Sequence, residues 1–123
     1  MVHLFGTRIE RYVENLTSKQ KPRLVGVCAI YFPDEQEGAS WAEFPLSKLG
    51  YNTNPKKLQG LIEKIYRDAI CRIRIEGTKT VPIALYKALD GKNTQDYEAR
   101  VEPSAIGGEK IASLLMDSIF HKR

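Results

Sequence analysis

Few groups in this chain are able to do chemistry. His3 and His121 are its two histidines, and Cys28 and Cys71 its two cysteines, in 123 residues. Nucleophilic catalysis of the Ser–His–Asp or Cys–His kind needs an imidazole packed and oriented beside its nucleophile. Both histidines stand close to an end, where chains fray. Structural zinc needs several Cys or His ligands in closely spaced pairs, a pattern the sequence lacks. Carboxylates offer more. Asp34, Glu35 and Glu37 share one short acidic stretch, and Asp90-Gly91-Lys92 has the acid-x-Lys spacing with which metal-dependent nucleases hold Mg²⁺ and orient water. The Asp and Gly of both stretches equally suit plain turns, so solvated turns are the favoured reading and no metal site is assigned. Gly107-Gly108-Glu109-Lys110 opens a helix but matches neither the Walker nor the GxGxxG pattern, and Glu109 would repel an anion. No catalytic residue and no cofactor are expected.

The constellation with the clearest pattern is basic. From Asn54 to about Arg74, at ~100° per residue, Leu58, Leu61, Ile62, Ile65, Tyr66, Ala69, Ile70 and Ile73 gather on one half of a helix. Lys56, Lys57, Lys64, Arg67 and Arg74 gather on the other, Arg74 only if the helix reaches it. The functional reading is contact with phosphates or with an acidic protein surface, and the plain alternative is a solvated face edged by Glu63 and Asp68. Lys19, Lys21, Arg23 and Lys48 are further cations that the sequence alone cannot place beside it. Trp41, the single tryptophan, would stack a base, anchor a partner or cover the second face of a sheet.

Positioning these residues falls to a chain of ordinary globular composition. Hydrophobic residues make up 42% and charged residues 28%, which excludes a disordered class. Net charge is +4 and pI about 9.1, permitting an acidic partner without requiring one. No apolar run is long enough for a membrane span, and the first residues lack the charged n-region of a secretory signal. A cytoplasmic location with reduced thiols is expected.

Element by element, Thr7 with Glu10 matches a capping box and predicts a helix over 7–17. Arg23 to Phe32 is an apolar, β-branched run that predicts a covered strand, with Gly26 at a close approach or bulge. Ser40 to Leu46 alternates, with Ala42, Phe44 and Leu46 on one side, and completes a hairpin. Asn54 and Pro55 open the long helix. Glu63 with Arg67, and Asp68 with Arg72, support it at least to Arg72. Cys71 to Glu76 also alternates like a strand, and a helix through about Arg74 is preferred. Thr80 to Leu89 reads as a strand whose Pro82 marks an edge. Asp90-Gly91 is a turn. Asp96 to Glu102 alternates, with Tyr97, Ala99 and Val101 inward and Asp96 and Arg100 outward. A last helix runs to Phe120 with Ile111, Ala112, Leu115, Met116 and Ile119 on its apolar face, and Lys122 and Arg123 at the negative end of its dipole.

The predicted fold is one α+β domain over 1–123. Its single antiparallel sheet is built from two hairpins in the order α-ββ-α-ββ-α, with helices packed on it in two or three layers. The function this suggests is a small basic, non-enzymatic binding or adaptor domain that contacts nucleic acid or an acidic protein through its central helix. Two alternatives stand beside it. One is a homodimeric scaffold, because the element order is similar to that of roadblock-type dimer modules, in architecture alone. The other is a small metal-dependent nuclease. A homodimer is expected because so small a sheet has few internal ways to protect its edges.

Overall fold

A computed structural model describes residues 2–120; His121, Lys122 and Arg123, and the dipole contact expected of the last two, lie outside the described residues. The first helix, α1, spans Val2–Leu16 and so begins well before Thr7. The expected capping box does not form. Thr7 Oγ1 donates to the His3 carbonyl inside the helix, and Glu10 accepts from the Arg74 amide instead. Tertiary packing extends α1 backwards: Gly6 lies so close to a neighbouring turn that a Cβ there would sit 3.1 Å from Ala69 Cβ.

Strand β1 is Leu24–Ala29, inside the predicted run. Its partner is not the segment that follows. Ser40 to Leu46 is no strand: α2 spans Glu43–Lys48, and the first hairpin is absent. The side chains explain why. Asp34 and Ser40 both bend the chain locally, Asp34 Oδ1 accepting from Gln36 N and Ser40 Oγ from Ala42 N. Ala42 and Leu46, one helical turn apart, are buried while Phe44 is exposed, so the helical period wins over the alternating one.

Helix α3 spans Pro55–Asp68, with Pro55 in its first turn and no side-chain cap bond from Asn54. It stops short of Arg74; a 3₁₀ turn over Ile70–Arg72 follows and Ile73 is already extended. Of the strand alternative there remains one bridge, Ile75 to Thr78. Strand β2, Lys79–Ala84, pairs parallel with β1, in register from Leu24↔Lys79 to Ala29↔Ala84. α2 and α3 lie between them in the chain, and a crossover of that length is what parallel pairing requires. A 3₁₀ turn, Leu85–Lys87, ends the strand early.

The expected second hairpin shrinks to β3 (Tyr97–Glu98) and β4 (Glu102–Pro103), antiparallel and two residues each. Ala99 and Arg100 at its turn both have positive φ, 52° and 69°. The architecture is α+β, but with two separate two-stranded sheets rather than one antiparallel sheet. Helix α4 spans Ala105–Phe120 and touches β2. Of its expected apolar face, Ile111, Leu115 and Ile119 are half-buried while Ala112 and Met116 are exposed.

Two small cores hold these elements. Val13, Ile73 and Ile75 pack with Ile9, Val25 and Val27 where α1 covers one face of the parallel pair. Ala42, Leu46 and Tyr51 pack with Leu58 and Val101 under α2 and α3. Phe32 stacks on Tyr86 at 4.8 Å with the edge of Tyr66 on the same ring. Among the described residues, no helix is long and apolar enough to cross a membrane.

Candidate functional surface

The orientation of α3 is fixed from its inner side. Gln59 and Ile62 are buried, and Gln59 Nε2 donates to Glu35 Oε2 at 2.8 Å and to the Tyr51 hydroxyl at 3.0 Å. That turns Lys56, Lys57, Gly60, Lys64 and Arg67 outward, all exposed. At ~100° per residue these five positions occupy about 100° of the helix circumference. Gly60 lies near the middle of the arc, Glu63 on one border and Asp68 on the other.

The charges are only partly neutralised. Asp68 takes Lys64 Nζ at 3.0 Å and Arg67 Nε at 3.3 Å. The Lys64 hydrogen bond, opposed by partial desolvation and helped by the charges of Lys64, Arg67 and Arg72, holds the Asp68 carboxyl below its usual range. Both cations remain more than half exposed, at 54% and 66%, so water screens these pairs strongly. The expected Glu63–Arg67 pairing gives way to Arg67–Asp68. Lys48 joins the face. With Leu49, Lys57, Leu58 and Leu61 it lines a recess of about 210 Å³, its ammonium 5.2 Å from the Phe44 ring centroid. Arg72 extends the surface at the other end, lining a hollow between α1 and α3 with His3, Leu61 and Lys64.

Two expected members stand apart. Arg74 folds back on the carbonyls of Cys71 and Ile73 because the helix has already ended. Trp41, 68% exposed, stands off the helix with Nε1 3.3 Å from Glu102 Oε2. Lys21 packs against Gly77, in the turn before β2.

Behind this face lies a polar hub that the alternating pattern concealed. Arg100, expected outward, is 3% exposed. Its Nε and Nη2 donate to the Asp34 carbonyl, and Nη1 donates to Glu43 Oε1 and Asn52 Oδ1, both at 2.8 Å. One guanidinium therefore ties together the 33–35 loop, α2, the loop before α3 and the β3–β4 turn. Two phenols brace the same loop: Tyr51 donates to the Pro33 carbonyl and Tyr97 to the Phe32 carbonyl, both at 2.6 Å. Asp96, also expected outward, is buried against Lys110 Nζ at 2.8 Å.

The acidic stretch and the acid-x-Lys turn do meet. Asp34, Glu35, Gln36, Gly91, Lys92 and Thr94 line a shallow recess of about 310 Å³. Their side chains are already engaged: Lys92 Nζ lies 2.7 Å from Glu35 Oε2, and Asp34 Oδ1 accepts from Gln36 N and Thr94 Oγ1. Burial raises the Glu35 carboxyl, but hydrogen bonds from Lys92 and Gln59 and the charges of Lys92 and Lys56 outweigh it, and the net displacement is downward. Among the described residues no group of three or more His, Cys, Asp or Glu side chains is placed to hold a metal ion. What the arrangement offers is a braced loop and a charged helix face. Comparison with known proteins finds no matching family model, curated protein or solved structure.

Proposed function

We propose that this chain is a small basic, non-enzymatic binding domain whose α3 face contacts an acidic protein surface. The observation that supports it is the grouping of Lys56, Lys57, Lys64 and Arg67 on one arc around Gly60, with Lys48 added from α2. Gly60 is costly in a helix interior, by about 1 kcal/mol relative to Ala. No packing among the described residues asks for it, because a Cβ there would meet none of their atoms within 4 Å. A bare spot in the middle of a cationic face lets a partner approach the backbone between the lysines. Leu49 and Leu61, 55% and 39% exposed beside Lys48 and Lys57, favour an acidic peptide with an apolar side chain over a bare phosphate backbone.

Two probes separate the versions: a labelled peptide of Glu and Leu, and an unselected DNA oligomer. The peptide is expected to bind wild type and to lose binding when Lys57, Lys64 and Arg67 are all changed to Glu, with the far-UV spectrum unchanged. Tighter binding to the oligomer, falling with salt at a log–log slope of roughly −2 to −3 for three phosphate contacts, would transfer the proposal to nucleic acid. Millimolar or weaker affinity for both probes at low salt would remove it.

A further inference from the structure

The parallel pair β1–β2 has two free edges, and only one is guarded. Lys79 N donates to Arg23 O, which fixes the ladder: on β2 the amides of Lys79, Val81 and Ile83 point at β1, and on β1 those of Val25, Val27 and Ala29 point back. On the outer edge of β2, Pro82 has no N–H to offer, a common protection of an edge. The outer edge of β1 carries the amides and carbonyls of Leu24, Gly26 and Cys28 with no proline or charge inside the strand. Among the described residues, no hydrogen bond outside the ladder reaches them.

The adjoining side-chain surface is also bare. Gly26 and Cys28 share a face with Val81 and Ile83 by register, yet Val81 and Ile83 are buried while Gly26, Cys28 and the following Ile30 are exposed. α4 touches β2, while over β1 the Ile83 side chain reaches towards Gly26 and leaves Cys28 and Ile30 open. α4 is apolar over most of its circumference, with Glu109, Lys110, Ser113 and Asp117 on one side, yet Gly107 is its one fully buried residue and Ile106, Met116 and Phe120 are 49%, 54% and 68% exposed. Large apolar side chains exposed together in this way mark an interaction surface.

We infer that β1 pairs antiparallel with β1 of a second copy, giving a continuous four-stranded sheet in the order β2-β1-β1′-β2′. A symmetric pairing centred on Val27 sets Leu24 against Ile30 and Gly26 against Cys28 of the other copy, using every open group of the edge. It also sets Arg23 opposite Tyr31. Tyr31 donates to the Val101 carbonyl at 2.7 Å, so Glu102 stands next to the arriving Arg23, and the two-fold axis supplies that ion pair twice. The two α4 helices, each over its own β2, then stand three strand spacings apart, about 14 Å. Directly packed helices are about 10 Å apart, so the trough between them is about one layer of apolar side chains wide. The same surface that is incomplete in one copy is completed by another.

Sedimentation equilibrium across micromolar concentrations tests this. Wild type is expected at twice the 14.0 kDa chain mass. Cys28→Pro removes an outward N–H and no ladder bond, so it is expected to be folded and monomeric. Should that variant not fold, Cys28→Lys decides, since the exposed side chain tolerates charge and the edge does not. Arg23→Glu is expected to weaken the dimer about tenfold, the pair being present twice, and Arg23→Glu with Glu102→Arg to restore it. A single mass near 14.0 kDa for wild type, or an unchanged dimer in Cys28→Lys, overturns the inference. Absence of rescue by the charge swap overturns the register centred on Val27. Peptide binding by α3 is read separately, so the two proposals fail independently.

Discussion

Replacing Arg100 by Met tests whether the hub, rather than the small cores, holds the second half of the chain together. Met keeps the length of the stem and removes every donor. Lost at one stroke are the fork on the Asp34 carbonyl, at 3.2 and 3.0 Å, and the Nη1 bonds to Glu43 and Asn52. The acceptors stay behind; the Asp34 carbonyl is buried with its residue, 3% exposed. Removing one partner from a buried charge-assisted network costs about 3–5 kcal/mol. A domain of this size holds roughly 6–15 kcal/mol in all, so the loss is a large fraction. It corresponds to a fall in melting temperature of about 10–20 °C, read by circular dichroism and by the fluorescence of Trp41 near the hairpin. Arg100→Lys should fall between, because an ammonium cannot span both sides of the fork. Arg100→Gly should be milder than Arg100→Ala, reversing the usual order, because φ is 69° here and glycine adopts that region freely. A loss below about 1 kcal/mol for Arg100→Met would mean that water replaces the guanidinium, and would refute the hub.

Further outcomes follow from the same geometry. Ala99→Gly should raise stability by about 1 kcal/mol, since Ala99 has φ 52° and offers mainly its carbonyl, to Ser40 Oγ and Val101 N; chemical denaturation measures it. Gly60→Ala should also stabilise by about 1 kcal/mol while weakening peptide binding, an opposition that a merely solvated helix face would not show. Burial pushes the Tyr51 and Tyr66 phenols up to about 12, and Tyr97 higher. The unfolded chain ionises near 10, so their contribution is intact below pH 10 and is lost as pH rises towards 12. Phenolate absorbance and unfolding should therefore rise together, and full titration near pH 10 with the fold retained would contradict it. At the acid end, Glu35 and Glu43 are held low, Glu43 first by its Asn52 and Gly38 hydrogen bonds. Stability should be flat from about pH 5 up to the onset of phenol ionisation and fall once pH drops below the ordinary carboxylate range, a fall that Glu35→Gln should reduce.

The elements legible in the sequence are those whose signal is local. α3 announces itself by its apolar period and by Pro55, and β1 by an unbroken β-branched run; β1 appears close to its expected bounds, whereas α3 begins where expected and ends short, at Asp68 rather than near Arg74. α4 is found for the same reason, although its apolar face is less covered than its pattern suggests. The alternating segments fail. Ser40–Leu46 and Asp96–Glu102 carry a strand period, yet side-chain-to-backbone bonds from Asp34, Ser40, Asn93 and Ser104 offer the chain local turns instead. Once neither segment is a full strand, no hairpin stands beside β1, and the nearest apolar run left to pair with it is β2, across a helical crossover.

The basic face was legible for a related reason: helix period alone decides that Lys56, Lys57, Lys64 and Arg67 share a side. Arg74 was lost when the helix stopped at Asp68, which is a boundary error rather than an error of face. The hub was invisible because nothing local marks it. Arg100 reaches Asp34, Glu43 and Asn52 across separations of 66, 57 and 48 residues, and a strand pattern assigns an arginine to water. Its positive φ points to a physical cause: with Ala99 and Arg100 both left-handed, the tight turn carries the side chain inward, where the 33–35 loop needs a donor. Tyr51 and Gln59 follow from the same need, since Gln59 bridges the Tyr51 hydroxyl and Glu35. The hub thus fixes the rotation of α3, and with it the direction in which the lysines point. Breaking Arg100 should accordingly blur the basic face before it dissolves the α1–β1 core, which shares no residue with the hub.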